Sequence, residues 1–104
     1  MKVIVEIPAK HINGCLRGAR IGYWGYVTDL DFFGGVVDLH ITEQADNVDP
    51  IAKHHLNDAA LTRGLQLMAQ EWSKTFSELM TGYYDADTGD ILIQLCVFGE
   101  VKYG

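Results

Sequence analysis

Two arginines and three aromatic residues stand together in one short part of the sequence. Arg17, Arg20, Tyr23, Trp24 and Tyr26 all fall within ten residues. Guanidinium groups pair with phosphate or carboxylate, and flat aromatic rings stack on bases. The same residue types dominate the binding energy of protein interfaces. The segment therefore predicts a pocket for an anionic ligand such as a nucleotide, a protein-binding surface, or a third arrangement in which Trp24 lies in the core and the arginines form surface salt bridges.

The acidic residues are concentrated just after this segment. Residues 29–49 contain no lysine or arginine, and the net charge of the chain is −6. Direct binding of DNA or RNA needs a cationic footprint, which this chain lacks. An acidic face attracts a basic partner, including a protein that itself holds nucleic acid, whereas the alternative is that the acids only keep the chain soluble. The predicted partner face consists of six residues: Asp29, Asp31, Asp38, Glu43, Asp46 and Asp49.

Residue types that carry catalysis or bind metals are present, but their spacing is unfavourable. His54 and His55 are adjacent and would diverge on a helix, while the other two histidines are isolated. No HExxH or CxxC motif, nucleophile elbow, phosphate loop or dinucleotide fingerprint occurs. Cys15 and Cys96 are far apart in apolar settings, which favours two buried, reduced thiols. We therefore predict no catalytic residue, no metal site and no cofactor.

The first half of the chain predicts two kinds of element. Residues 2–7 alternate between apolar and polar side chains, as in a strand, and a short amphipathic helix follows Pro8 and runs to about Arg20. Residues 23–28 and 36–42 favour β-structure, and Gly34-Gly35 between them can supply a hairpin turn. On a strand Tyr23 would face away from Trp24 and Tyr26, so the three rings cannot share one surface. Phe32 and Phe33 would lie near the turn, and residues 43–55 predict a loop.

The sequence of the second half of the chain predicts mostly helices. Asn57 or Asp58 can cap a helix whose apolar stripe is Leu61, Leu65, Met68 and Trp72, and residues 73–81 predict a second helix. Residues 91–98 suit either a helix capped at Asp87 or a buried strand, and the acidic first turn favours the helix. Residues 100–103 alternate and predict a possible final strand beside the first.

These elements predict one α+β domain over residues 1–104. A small antiparallel sheet, made of the N-terminal strand, the central hairpin and the possible C-terminal strand, would pack against three to four short helices. No apolar run approaches the roughly 20 residues of a membrane span, and charge interrupts the start of the chain too early for a secretion signal. We therefore expect a cytoplasmic protein. A chain of 104 residues buries a modest fraction of its surface, which is compatible with a homodimer.

Three blocks of the sequence carry a resemblance. They are IGYWGYV at 21–27, ALTRGLQLMA at 60–69, and DADTGD at 85–90, which leads through Gln94 to FGEVKYG at 98–104. Their order resembles a family of small hypothetical proteins encoded by tailed phages and prophages, and the likeness covers most of the chain. The chain departs from the expected pattern at Gly14, Gly18 and Gly89, where better helix formers are expected.

The resemblance implies a phage accessory protein, with no catalytic residue to carry over. Small acidic phage proteins of this kind often bind host machinery, as anti-CRISPR and other anti-defence proteins do. The leading hypothesis is therefore a non-catalytic inhibitor of a host defence factor, with a basic, nucleic-acid-binding component as its partner. The alternative is a protein that sequesters a cyclic nucleotide signal through Arg17 and Arg20 beside Tyr23 and Trp24, for which a dimer would add concave surface.

Overall fold

The computed structural model describes residues 7–31, 38–44 and 49–104. A three-stranded antiparallel sheet packs against four helices in the described residues, so the predicted α+β class is confirmed. The elements in chain order are α1 (Ala9–Arg17), β1 (Gly25–Asp31), β2 (Asp38–Glu43), β3 (Ala52–Leu56), α2 (Asp58–Glu71), α3 (Ser73–Thr81) and α4 (Ala86–Phe98).

The sheet has the order β1-β2-β3, with β2 in the centre. The predicted hairpin is confirmed by the antiparallel pairing of β1 with β2, which contains a register shift between Val27 and Asp29. The predicted loop at 43–55 is wrong over its last part, because β3 pairs there with β2. Local composition missed this strand, since backbone pairing with β2 outweighs the low β-propensity of its sequence.

The two faces of the sheet differ in polarity. Leu39, Ile41 and Leu56 are fully buried and join the hydrophobic core, and we call their side the inner face. Both α2 and α4 pack against β3 on that side. Asp38 and His40 alternate with the buried residues of β2 and lie on the outer face.

Helix α4 is the central helix of the core. Leu92, Ile93 and Leu95 are buried, which confirms the helical alternative for this segment. Gly89 is required here, because a Cβ atom at that position would lie 2.4 Å from the carbonyl oxygen of Cys15. The departure from good helix formers at Gly89 is thus explained by the close approach of α1 to α4.

Side chains and glycines set the ends of the helices. Asn57 caps α2, where its side chain accepts a hydrogen bond from the backbone N–H of Ala60 at 3.0 Å. The cap of α4 is Asp85 rather than the predicted Asp87, and it forms a capping box with Thr88. Gly99 ends α4 with a φ of 74°, in the left-handed region that favours glycine.

The C-terminal strand prediction is wrong. Residues 100–104 form no strand, because the backbone N–H groups of Lys102 and Tyr103 donate to the side chain of Gln94 instead of a neighbouring strand. The predicted N-terminal strand at 2–7 falls almost entirely outside the described residues, as do Gly34-Gly35, Phe32 and Phe33. None of the helices in the described ranges has the length and apolar character needed to cross a membrane.

Candidate functional site

A buried carboxylate, Asp90, connects the aromatic segment to α4. Its Oδ1 atom accepts a hydrogen bond from Trp24 Nε1 at 2.7 Å and another from Gln94 Nε2 at 2.9 Å. Its Oδ2 atom accepts from the hydroxyl of Tyr23. Because Asp90 is only 8% exposed, these three donors replace the water that the charge would otherwise require.

The same interactions decide the position of Trp24. This side chain is fully buried, its ring stacks on Tyr103 at a centroid distance of 5.6 Å, and it also contacts the ring of Phe98. The expectation of Trp24 on a binding surface is therefore corrected, because its indole N–H is satisfied internally by Asp90. Tyr23 and Tyr26 remain 42% and 45% exposed.

A pocket of about 390 Å³ opens beside this network. Two of the predicted binding residues, Arg20 and Tyr23, line it, whereas Arg17 and Tyr26 are exposed and do not. We call this cavity the Asp90 pocket, and its lining consists of Arg20, Tyr23, Trp72, Asp87, Asp90, Ile91, Val101, Tyr103 and Gly104.

Two hydrogen bonds hold the walls of the Asp90 pocket in place. The backbone N–H of Arg20 donates to the carbonyl of Ala86 at 3.2 Å, which fixes the chain after α1 against the start of α4. Gln94 Nε2 donates to the carbonyl of Tyr103 at 2.9 Å and fixes the C-terminal wall. Burial and the hydrogen bond to Asp90 raise the pKa of Tyr23 to about 12, so its hydroxyl stays protonated at neutral pH.

The charges at the pocket are two carboxylates and one guanidinium. Asp87 is exposed in the first turn of α4, while Asp90 lies deeper and is already hydrogen-bonded. Arg20 is exposed and forms no salt bridge within ranges 7–31, 38–44 and 49–104. The pocket thus combines apolar walls with an excess of negative charge.

Glu43 is the centre of a second buried network, on the inner face of the sheet. It is 2% exposed, its Oε1 lies 3.0 Å from His54 Nε2, and its Oε2 accepts from Lys102 Nζ at 2.8 Å and from the Tyr103 hydroxyl. Burial raises the pKa of Glu43, but these hydrogen bonds outweigh burial and lower the pKa to about 2. Its assignment to an open acidic face is therefore corrected.

The remaining acidic residues of the predicted partner face are distributed as follows. Asp38 is about half exposed on the outer face, beside His40 and His55. Asp29 and Asp31 hold register positions opposite His40 and Asp38, and Asp49 is exposed. Asp46 lies outside the described residues. The sequence did not assign Asp87 and Asp90 to this face. It predicted both as part of the acidic start of the last helix.

The two cysteines offer no nucleophile to the Asp90 pocket. Both are free and buried, as predicted. Burial, together with the charge of Asp85, raises the pKa of Cys15 to about 12. Burial likewise raises the pKa of Cys96 to about 12. Both therefore remain thiols at neutral pH.

No protein family, curated protein sequence or solved structure matches the chain.

Proposed function

We propose that this protein acts by non-catalytic binding, and that the Asp90 pocket holds a basic segment of a partner protein. In keeping with the phage resemblance, the partner is a host defence factor in the host cytoplasm, which the protein inhibits by occupying its basic surface. The observation that carries this proposal is a preformed pocket with aromatic walls and an excess of carboxylates.

The first support is the composition of the pocket rim. Trp72 is 36% exposed and Tyr23 is 42% exposed, so both rings present apolar area to a partner. Arg20 stands at the same pocket. Tryptophan, tyrosine and arginine are the residue types that dominate interface energetics when they cluster around a pocket.

The second support is the charge. The stem of a partner's lysine or arginine can lie along Ile91 and Val101, with its cationic group at the exposed Asp87. Arg20 can donate to a backbone carbonyl of the same bound segment. The net charge of −6 favours encounter with a basic surface over long range. A phosphate group would instead meet two carboxylates, so the nucleotide hypothesis is the less favoured of the two.

The third support is preorganisation. Tyr23 is already oriented by Asp90, and the C-terminal wall is already held by Gln94. Binding therefore orders few additional groups, and the loss of side-chain entropy that normally opposes association is small.

The proposal is tested by affinity purification from bacterial host lysate at low salt. The wild-type chain and the variants Trp72→Ala and Asp87→Asn are compared with Tyr83→Ala, which removes a ring that is 82% exposed and does not line the pocket. We expect one basic protein to be retained in near-stoichiometric amount by wild type and Tyr83→Ala, and lost with the two pocket variants. Equal retention by all four chains, or retention by none, would contradict the proposal.

Two further measurements separate a protein partner from a nucleotide. The identified partner, once purified, is titrated at increasing salt, and we expect its affinity to fall because the charges at the interface are screened. Thermal shifts with ATP and cyclic nucleotides should be absent. A nucleotide shift that disappears in Arg20→Ala would establish the alternative hypothesis and overturn the proposal.

A further inference from the structure

The outer face of the sheet brings together side chains from two strands, β2 and β3. His40 on β2 and His55 on β3 are direct partners in the antiparallel register. Asp38 precedes His40 by two residues on β2, so it lies on the same face of the sheet. The pairing of β2 with β3 thus assembles one carboxylate and two imidazoles at one place on the surface.

Their distances are close to those of a metal-binding set. Asp38 Oδ1 lies 3.7 Å from His40 Nε2 and in direct contact with His55 Nε2. The two imidazole rings lie 4.3 Å apart and are nearly parallel, at 10°. One ligand atom from each residue lies within 4.8 Å of the other two. Ligand atoms at about 2.1 Å from a tetrahedral Zn²⁺ are about 3.4 Å apart, so rotations of these side chains complete the set.

We propose that Asp38, His40 and His55 form a Zn²⁺ site on the outer face. Imidazole nitrogen and carboxylate oxygen are ligands that Zn²⁺ prefers, and a set with two nitrogens disfavours Mg²⁺ and Ca²⁺. The three side chains are about half exposed, so an ion reaches them from solvent and keeps water in its fourth position.

On the neighbouring strand β1, Asp29 and Asp31 occupy the register positions opposite His40 and Asp38. The prediction of no metal site is revised by this proposal, because it treated His40 as isolated and placed His55 in a loop.

The proposal concerns a different surface from the Asp90 pocket and does not depend on the proposed function. Zn²⁺ affinity is measured by competition with a fluorescent zinc chelator, for wild type and for Asp38→Asn, His40→Ala and His55→Ala. We expect one Zn²⁺ per chain and a loss of affinity of about tenfold or more in each variant, as for other removed metal-site groups. His11→Gln is the control, because it removes a histidine that bonds to the carbonyl of Met80, away from the site.

A second readout uses the unmodified chain, so it does not depend on whether a variant folds. Side-chain ¹⁵N NMR is recorded during titration with Zn²⁺ and, separately, with Mg²⁺. We expect Zn²⁺ to shift the Nε2 resonances of His40 and His55 and to leave His11 unchanged, while Mg²⁺ shifts none of them. Absence of saturable Zn²⁺ binding, affinity unchanged in all three variants, or shifts confined to His11 would each overturn the proposal.

Discussion

Replacing Gln94 by glutamate exchanges one nitrogen atom for oxygen in the buried centre of the protein. Gln94 is fully buried, and its Oε1 accepts from the backbone N–H groups of Lys102 at 2.8 Å and Tyr103 at 2.7 Å. Its Nε2 donates to Asp90 Oδ1 and to the Tyr103 carbonyl, both at 2.9 Å. In Gln94→Glu the accepting half of the side chain is preserved, whereas the donating half becomes a second acceptor.

The cost follows from the two lost donor bonds. One of them goes to a carboxylate and one to a neutral carbonyl, which together amount to about 3 kcal/mol of the free energy of unfolding. A domain of this size has a total stability of about 5–15 kcal/mol, so the loss is severe. With a urea m-value of about 1.5 kcal/mol/M, the midpoint of unfolding falls by about 2 M. Repulsion between the introduced carboxylate and Asp90 adds to this figure.

Urea unfolding followed by circular dichroism at pH 7 measures the effect. Gln70→Glu is the matched control, because it makes the same chemical change at an exposed position of α2. The introduced carboxyl faces Asp90, so its pKa is raised in the folded state and its penalty should shrink between pH 7 and pH 4. A midpoint for Gln94→Glu equal to that of Gln70→Glu at pH 7 would refute the assigned hydrogen-bond network.

Three other predictions concern the core and the buried charges. Gly64→Ala places a Cβ atom 2.2 Å from Cys96 Sγ and 3.0 Å from its backbone nitrogen, so overpacking of about 1–3 kcal/mol should lower Tm despite the better helix propensity of alanine. Glu43 has a folded-state pKa of about 2 against an ordinary 4.5, so its stabilisation is complete above pH 4.5 and is lost as pH falls towards 2. The difference in free energy of unfolding between wild type and Glu43→Gln, measured by urea unfolding, should therefore become smaller as pH falls from 4.5 towards 2. With pKa values raised to about 12, Cys15 and Cys96 should react with a thiol reagent at pH 8 only after unfolding.

Each of these predictions has a result that contradicts it. For the glycine, the control is Gly22→Ala, where an added Cβ atom meets nothing within 4 Å, and equal Tm values would exclude the close contact of α2 with α4. For Glu43, a difference in free energy of unfolding between wild type and Glu43→Gln that stays constant from pH 7 to pH 2 would mean that its carboxylate is not stabilised by folding. For the cysteines, rapid labelling of the native chain would show that a thiol is accessible.

The local elements with strong sequence signals were predictable. The amphipathic spacing before Arg20, the cap at Asn57 and the hairpin at 23–42 depend on side-chain periodicity and on residues next to one another in the sequence. The structure confirms these elements where it describes them. The helical alternative for α4 was also favoured by its acidic first turn, although the cap is Asp85 and not the predicted Asp87.

Contacts between distant segments of the chain could not be predicted from these local patterns. Trp24 was placed among the binding residues, with a core position as the alternative, and it is buried because Asp90, 66 residues later in the sequence, accepts its indole N–H. Glu43 was grouped with open carboxylates, but Lys102 and Tyr103 hold it inside. In each case a polar group in the core is stable only because its partner arrives from another part of the chain.

The sequence by itself determined the fold class, helices α2 and α3 and the central hairpin, because periodicity and capping act over a few residues. Only the tertiary structure decided that Arg20 and Tyr23 share a pocket with Trp72 and Asp87. Likewise, only the pairing of β2 with β3 brought His40 to His55. The physical reason is that chain folding sets the distance between such side chains, and sequence separation does not limit which groups then meet.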